Sequence, residues 1–297
     1  MHSYLRYHPN IVRLLGFGWG PSVDSNAVYP ILVLEHASHG SLAALQASVP
    51  PLRFAVKQKL CHDVARGLAI LHVCGIIHGD VKHENILVFD NRYNEPPDQP
   101  YTAKLADFGA ADMDITEQGS HQLRMKTFPY EAPEISSTLS PSSLKKTDVY
   151  SFGLLVWRTF IDGKGLLAEL GFSDLLPAKV QILMKQLKLN DGLLVEAVDN
   201  VRRQFGTGSQ VHKGFVMVVF TLIACVTPDA KLRELPKAQA ALRGMDLGAI
   251  GDFMVRIESA NLKDLQNEQG RAPGRHGISA DSLGFQLGKL GDDYDAQ

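Results

Sequence analysis

Apolar positions along the chain fall into two periodic patterns, with glycine- and proline-rich breaks between them. Val28 to Leu34, VYPILVL, is a short, continuous, β-rich apolar run and reads as a buried strand. Gly40-Ser41 then opens a helix, with Ser41 as its N-cap. Between Arg53 and His72, the positions Phe54, Val56, Leu60, Val64, Leu68 and Leu71 recur at helical spacing, and Gly75 follows as a terminating glycine. Ile86 to Phe89 and Ala103 to Ala106 are two further short strands. The segment between them, DNRYNEPPDQP, is polar with three prolines, so the pair reads as a hairpin with an enlarged turn. Gly16, Gly18 and Gly20, in GFGWG, read as a loop between strands.

From Val149 to about Leu242 helical patterns alternate with glycine breaks, and LLPAKVQILMKQL reads as core helix. The most apolar run, Gly214 to Val226, has thirteen residues. That is short of the ~20 needed to cross a bilayer, so it reads as a buried helix. Residues 266–297 are Gly-rich, polar and weakly periodic, and a loosely ordered tail is expected over 243–297. The fold class that follows is α+β, a mostly helical body with a few short strands.

Composition narrows the function classes. The 297 residues are 45% hydrophobic and 21% charged, which is globular and excludes a disordered or fibrous chain. Thirty Lys and Arg against 32 Asp and Glu give a net charge of -2, with no electrostatic case for nucleic acid or an anionic membrane as partner. Cys61, Cys74 and Cys225 form neither a CxxC pair nor an even framework, so a reducing, cytoplasmic setting is expected. The N-terminus, MHSYLRYHPN, lacks the apolar core of an export signal.

The chemistry concentrates in His78-Gly79-Asp80-Val81-Lys82-His83-Glu84-Asn85 and in Asp107-Phe108-Gly109. The first precedes one strand of the proposed hairpin and the second follows the other. Asn85 and Asp107 therefore flank one hairpin and can converge on a hard cation, an oxygen set that suits a magnesium nucleotide. Lys82 is a cation where phosphoryl charge would develop, and Asp80 is a carboxylate able to accept a hydroxyl proton.

These stretches resemble the catalytic and metal-binding loops of eukaryotic protein kinases. Further segments resemble the family in the family's order: His8-Pro9-Asn10-Ile11-Val12 after the C helix, Leu34-Glu35-His36-Ala37 at the adenine hinge, Ala132-Pro133-Glu134 ending the activation segment, Asp148-Val149-Tyr150-Ser151-Phe152-Gly153 opening the F helix, and Asp229-Ala230-Lys231-Leu232-Arg233 late in the domain. The resemblance covers residues 8–242. It implies a kinase-like domain over 1–242, with a truncated N-lobe sheet (1–35) and a helical C-lobe (38–242).

The same resemblance implies ATP and Mg2+ as cofactors and a protein as substrate. Asp80 would orient or deprotonate the acceptor hydroxyl and Lys82 would contact the γ-phosphate. Asn85 and Asp107 would hold magnesium, while Glu35, Ala37 and Leu87 would bind adenine. Glu134 with Arg233, and Asp148 with the catalytic loop, would be braces. Lys82 together with Thr127 matches the serine/threonine branch. His78 reads as a satisfied core histidine.

The chain also departs from the family. The glycine-rich lid, the strand lysine and the C-helix glutamate do not fit upstream of His8. A fragment of a longer kinase, a missing lobe supplied elsewhere, or a kinase-shaped interaction module would each account for that. Gly79 replaces the usual arginine, the receiver of an activating phosphate, so phosphorylation of Thr116 or Ser120 is expected to change activity little. A small-molecule phosphotransferase is a third reading, because aminoglycoside and choline phosphotransferases often carry His-Gly-Asp. Those families lack the Ala-Pro-Glu and Asp-Val-Tyr-Ser-Phe-Gly patterns.

Overall fold

A computed structural model of the chain describes residue 5 and residues 7–21, 28–91, 99–113, 127–135, 139–205 and 213–244. Strands β1 (Leu14–Pro21) and β2 (Val28–Leu34) form an antiparallel ribbon, and β3 (Ile86–Asp90) and β4 (Tyr101–Leu105) form a second one. Helices α1 (Leu42–Ser48), α2 (Phe54–Val73), α3 (Pro141–Phe160), α4 (Leu166–Glu169), α5 (Pro177–Leu189), α6 (Gly192–Phe205), α7 (Lys213–Val226) and α8 (Leu235–Leu242) make up the body. This is an α+β arrangement, a mostly helical body with two small antiparallel ribbons.

The core is built around α3. Ser140 caps it by accepting from the Ser143 N–H, and Pro141 occupies its first turn, where a missing N–H costs nothing. Tyr150, Phe152 and Trp157 on α3 are enclosed, packed among Leu60, Leu68, Leu71, Leu222 and Cys225. A helix apolar on nearly all sides needs neighbours on all sides. The apolar run near residue 220 supplies one of them, since α7 is buried along almost its whole length. No helix among the described residues is long and apolar enough to cross a membrane.

The second ribbon sits on α2. Ile86 and Val88 turn into the core and Leu87 to the other face, as the two-residue period of a strand requires. Asn10 anchors the N-terminal segment to this ribbon: its backbone O accepts from the Leu105 N–H (2.9 Å) and its side chain donates to Ala103 O (3.0 Å).

Three sequence expectations need correcting. GFGWG is not a loop: Gly16, Gly18 and Gly20 lie inside β1. Glycine lowers strand propensity, yet it keeps the two-residue period, with the three glycines on one face and Phe17 and Trp19 on the other. Val28–Leu34 is a strand but is exposed at every residue. Its apolarity suits burial between layers, and among the described residues no layer covers either face of a two-stranded ribbon. Finally, α5 buries only Val180, Met184 and Lys188, so it is a surface helix with one inward stripe. The expected tail falls outside the described residues apart from 243 and 244.

Candidate active site

The site is assembled where the loop after α2 runs into β3. Gly75 leaves the helix with φ +73 and the chain crosses beneath the second ribbon. Ile86 pairs with Leu105, and the Asn85 carbonyl accepts from the Ala106 N–H at 2.9 Å. The residues just before β3 and just after β4 are therefore neighbours, which sets Asn85 beside the turn that starts at Asp107. Asp107 has φ +61, the left-handed region that is sparsely populated for a residue with a side chain. Its exposed carboxylate accepts from the Gly109 N–H at 3.2 Å.

Asp80 is nearly buried and its carboxylate is held by three donors: Lys82 Nζ at 2.6 Å, the Thr127 hydroxyl at 2.6 Å and the Asn85 amide at 2.8 Å. Lys82 Nζ also donates to Thr127 Oγ1 at 3.3 Å, so Asp80, Lys82 and Thr127 close a ring. Burial pushes the Asp80 carboxyl up, but the bonds from Lys82, Thr127 and Asn85 and the Lys82 charge outweigh it. The net pKa lies below the ordinary carboxylate value, and Asp80 is ionised at neutral pH.

Beneath this ring the loop is fixed from α3. Asp148 is enclosed and accepts from the His78 N–H (2.8 Å), the Gly79 N–H (2.9 Å) and His72 Nε2 (2.9 Å). His78 is likewise enclosed, with Nδ1 accepting from the Asp80 N–H (3.3 Å), which leaves Nε2 to donate to Ala106 O (3.0 Å). Its ring lies 5.2 Å from that of Phe108, so one histidine ties the catalytic-loop candidate to the turn after β4. Gly79 has φ +77, and a Cβ there would stand 2.6 Å from Ala110 O, so the position accepts only glycine without strain.

The remaining candidates are spread over the surrounding elements. Glu35 follows β2, where its N–H donates to Arg13 O (3.0 Å) and its carboxylate meets Lys104 Nζ (2.6 Å) and the Arg13 N–H (2.8 Å). Ala37 and Leu87 are half-buried, Ala37 after the ribbon and Leu87 on the outward face of β3. Glu134 lies at the far end of the segment that begins at Thr127, gripped by Arg233. Thr116 and Ser120 lie outside the described residues.

The donor chemistry fits a magnesium nucleotide. Asn85 offers an amide oxygen and Asp107 a carboxylate. Among the described residues no group of three or more His, Cys, Asp or Glu could hold a metal unaided. An ion here would take its other ligands from water and phosphate oxygens, as magnesium does.

Sequence reading did not single out His72, Lys188, or His83 with Tyr130. His83 is enclosed, with Nε2 against Thr159 Oγ1 (3.1 Å) and Nδ1 against the Tyr130 hydroxyl (3.3 Å). Burial and the Arg158 charge hold it well below the usual histidine pKa, so it is neutral at pH 7. Lys188 had left one signal, a cation on the apolar i, i+4, i+8 stripe of α5.

The family model for the protein kinase domain matches residues 1–191. The probable serine/threonine-protein kinase PBL4 of Arabidopsis thaliana is 26% identical over 281 residues, covering 90% of this chain and 61% of that protein. The probable serine/threonine-protein kinase PBL3 of the same plant is 30% identical over 250 residues, covering 80% and 51%. A putative serine/threonine-protein kinase/receptor, R831 of Acanthamoeba polyphaga mimivirus, is 26% identical over 270 residues, covering 86% of this chain and 15% of that protein. The chain thus spans less than two thirds of the length of each of these relatives.

Proposed function

Because this chain belongs to the protein kinase family, we propose that it transfers the γ-phosphoryl group of ATP to serine or threonine hydroxyls of a protein, with Asp80 and Lys82 as catalytic residues. The observation that carries this reading is the closed ring of Asp80, Lys82 and Thr127, with contacts of 2.6, 2.6 and 3.3 Å. An ionised carboxylate accepts a hydrogen bond from an incoming hydroxyl and aligns its oxygen with phosphorus. Lys82, already beside that carboxylate, neutralises charge spreading onto the transferred group. Asn85 and Asp107 supply oxygen ligands for magnesium, and the ion would offset the phosphate charge. Glu35 and Ala37 carry the backbone groups that would pair with adenine, over an apolar floor at Leu87. Asp148, Glu134 and Arg233 hold the frame. In domain terms, residues 1–35 and 38–242 would be the two lobes, with 243–297 a tail.

The test is nucleotide binding. At ~100 times its dissociation constant, Mg-ATP should raise the melting temperature by about 5–10 °C. Asp107→Ala should lose most of that shift, and ATP without magnesium should produce little. A wild-type protein that shows no shift would favour a kinase-shaped interaction module.

A further inference from the structure

Lys188 ends the inward stripe of α5, after Val180 and Met184, where an apolar side chain would complete the packing. It is only 4% exposed. A buried ammonium is costly unless each of its three N–H groups finds an acceptor. All three do: Nζ donates to Pro129 O (2.7 Å), Glu131 O (2.6 Å) and Glu131 Oε1 (2.9 Å). The carbonyl between them, Tyr130 O, accepts from Ser151 Oγ on α3 at 2.8 Å. Three successive carbonyls are therefore held, two by α5 and one by α3.

This strap is the far half of a closed turn. Thr127 O accepts from the N–H groups of Tyr130 (2.7 Å) and Glu131 (3.2 Å), while the Thr127 hydroxyl donates to Asp80. One end of the turn touches Asp80 and the other rests on Lys188. Replacing a buried ion pair by an apolar residue is often neutral or stabilising, so overall stability is a poor reason for a cation here. An apolar residue cannot bind carbonyls, and a planar guanidinium cannot offer three converging donors.

We propose that Lys188 is a positioning residue for the phosphoacceptor: it clamps the turn Thr127–Glu131 from below and so holds the Thr127 hydroxyl against Asp80. The kinetic consequence rests on the kinase reading above; the clamp itself does not.

The experiment uses the full chain carrying Lys188→Met or Glu131→Gln, with hydrogen–deuterium exchange and steady-state kinetics on a Ser/Thr peptide. In Lys188→Met the Tyr130 and Glu131 amides should exchange about tenfold faster, with residues 60–71 of α2 unchanged. The KM for peptide should rise about tenfold, with the KM for Mg-ATP unaltered. Glu131→Gln, which keeps both carbonyl bonds, should give a smaller change in the same direction. Unchanged exchange over 127–135 in a folded variant overturns the clamp, and an equal rise in both KM values overturns the positioning role. If the wild type transfers no phosphoryl group, the kinase reading fails and exchange alone decides the clamp. If Lys188→Met does not fold, Glu131→Gln decides by the same readouts.

Discussion

The Arg233 guanidinium closes on the Glu134 carboxylate through two hydrogen bonds of 2.5 and 3.0 Å, with Arg233 wholly enclosed. Its other donors reach Thr227 O, Pro228 O and Lys146 O, so all five N–H groups are used, and the cation lies 4.7 Å from the centre of the Tyr150 ring. Arg233→Ala would remove both bonds to the Glu134 carboxylate and the three bonds to backbone carbonyls, and should cost about 3–5 kcal/mol in urea unfolding. Arg233→Lys should recover little, because a point charge cannot reproduce the fork.

Thr127 ties the turn Thr127–Glu131 to Asp80 by one hydroxyl. Thr127→Ala should lower phosphotransfer by about tenfold while changing stability by less than about 1 kcal/mol, and Thr127→Ser should restore most of the rate. The check is kcat/KM for a Ser/Thr peptide alongside a melting curve.

The pH dependence of stability should carry a histidine signature. Burial first, then the charges of Arg243, Arg66 and Lys59, lower the His62 pKa from 6.5 to about 4. Its Nε2 accepts from Arg243 Nε at 3.2 Å, which requires that nitrogen to be unprotonated. Between about pH 4 and 6.5 the unfolded chain binds the extra proton. The contribution of neutral His62 is thus present above 6.5 and lost as pH falls toward 4. Urea midpoints across that range should fall with acid, and His62→Gln should flatten the slope.

Gly79 should resist substitution. At φ +77, with Ala110 O 2.6 Å from a Cβ position, Gly79→Ala should cost about 1–3 kcal/mol. A variant as stable as the wild type would contradict the reading of that turn.

The sequence carried some of this plainly. Helix 53–72 was legible because its apolar stripe sits over a buried face; the observed helix is Phe54–Val73. The β3–β4 hairpin was legible because two short apolar runs bracket a proline-rich loop. Asp80, Lys82 and Asn85 stood out because they share one loop, and local spacing keeps them together whatever the tertiary structure. What local pattern could not convey was environment. Val28–Leu34 has the composition of a buried strand and is exposed, because burial depends on a covering layer and not on the strand itself. The partnership of Thr127 with Asp80 spans 47 residues and rested on family resemblance alone. The partners of Lys188, Pro129 and Glu131, lie 59 and 57 residues away, beyond any helical or strand period.

Asp80, ionised and held by three donors, would align an alcohol for phosphoryl transfer. This alignment is tested most directly by the rate at which labelled γ-phosphate passes from Mg-ATP to a serine peptide, in wild type and in Asp80→Asn. A measurable wild-type rate should drop about 10²–10⁴-fold in the variant, with the Mg-ATP melting shift retained. Equal rates in the two proteins would contradict the alignment.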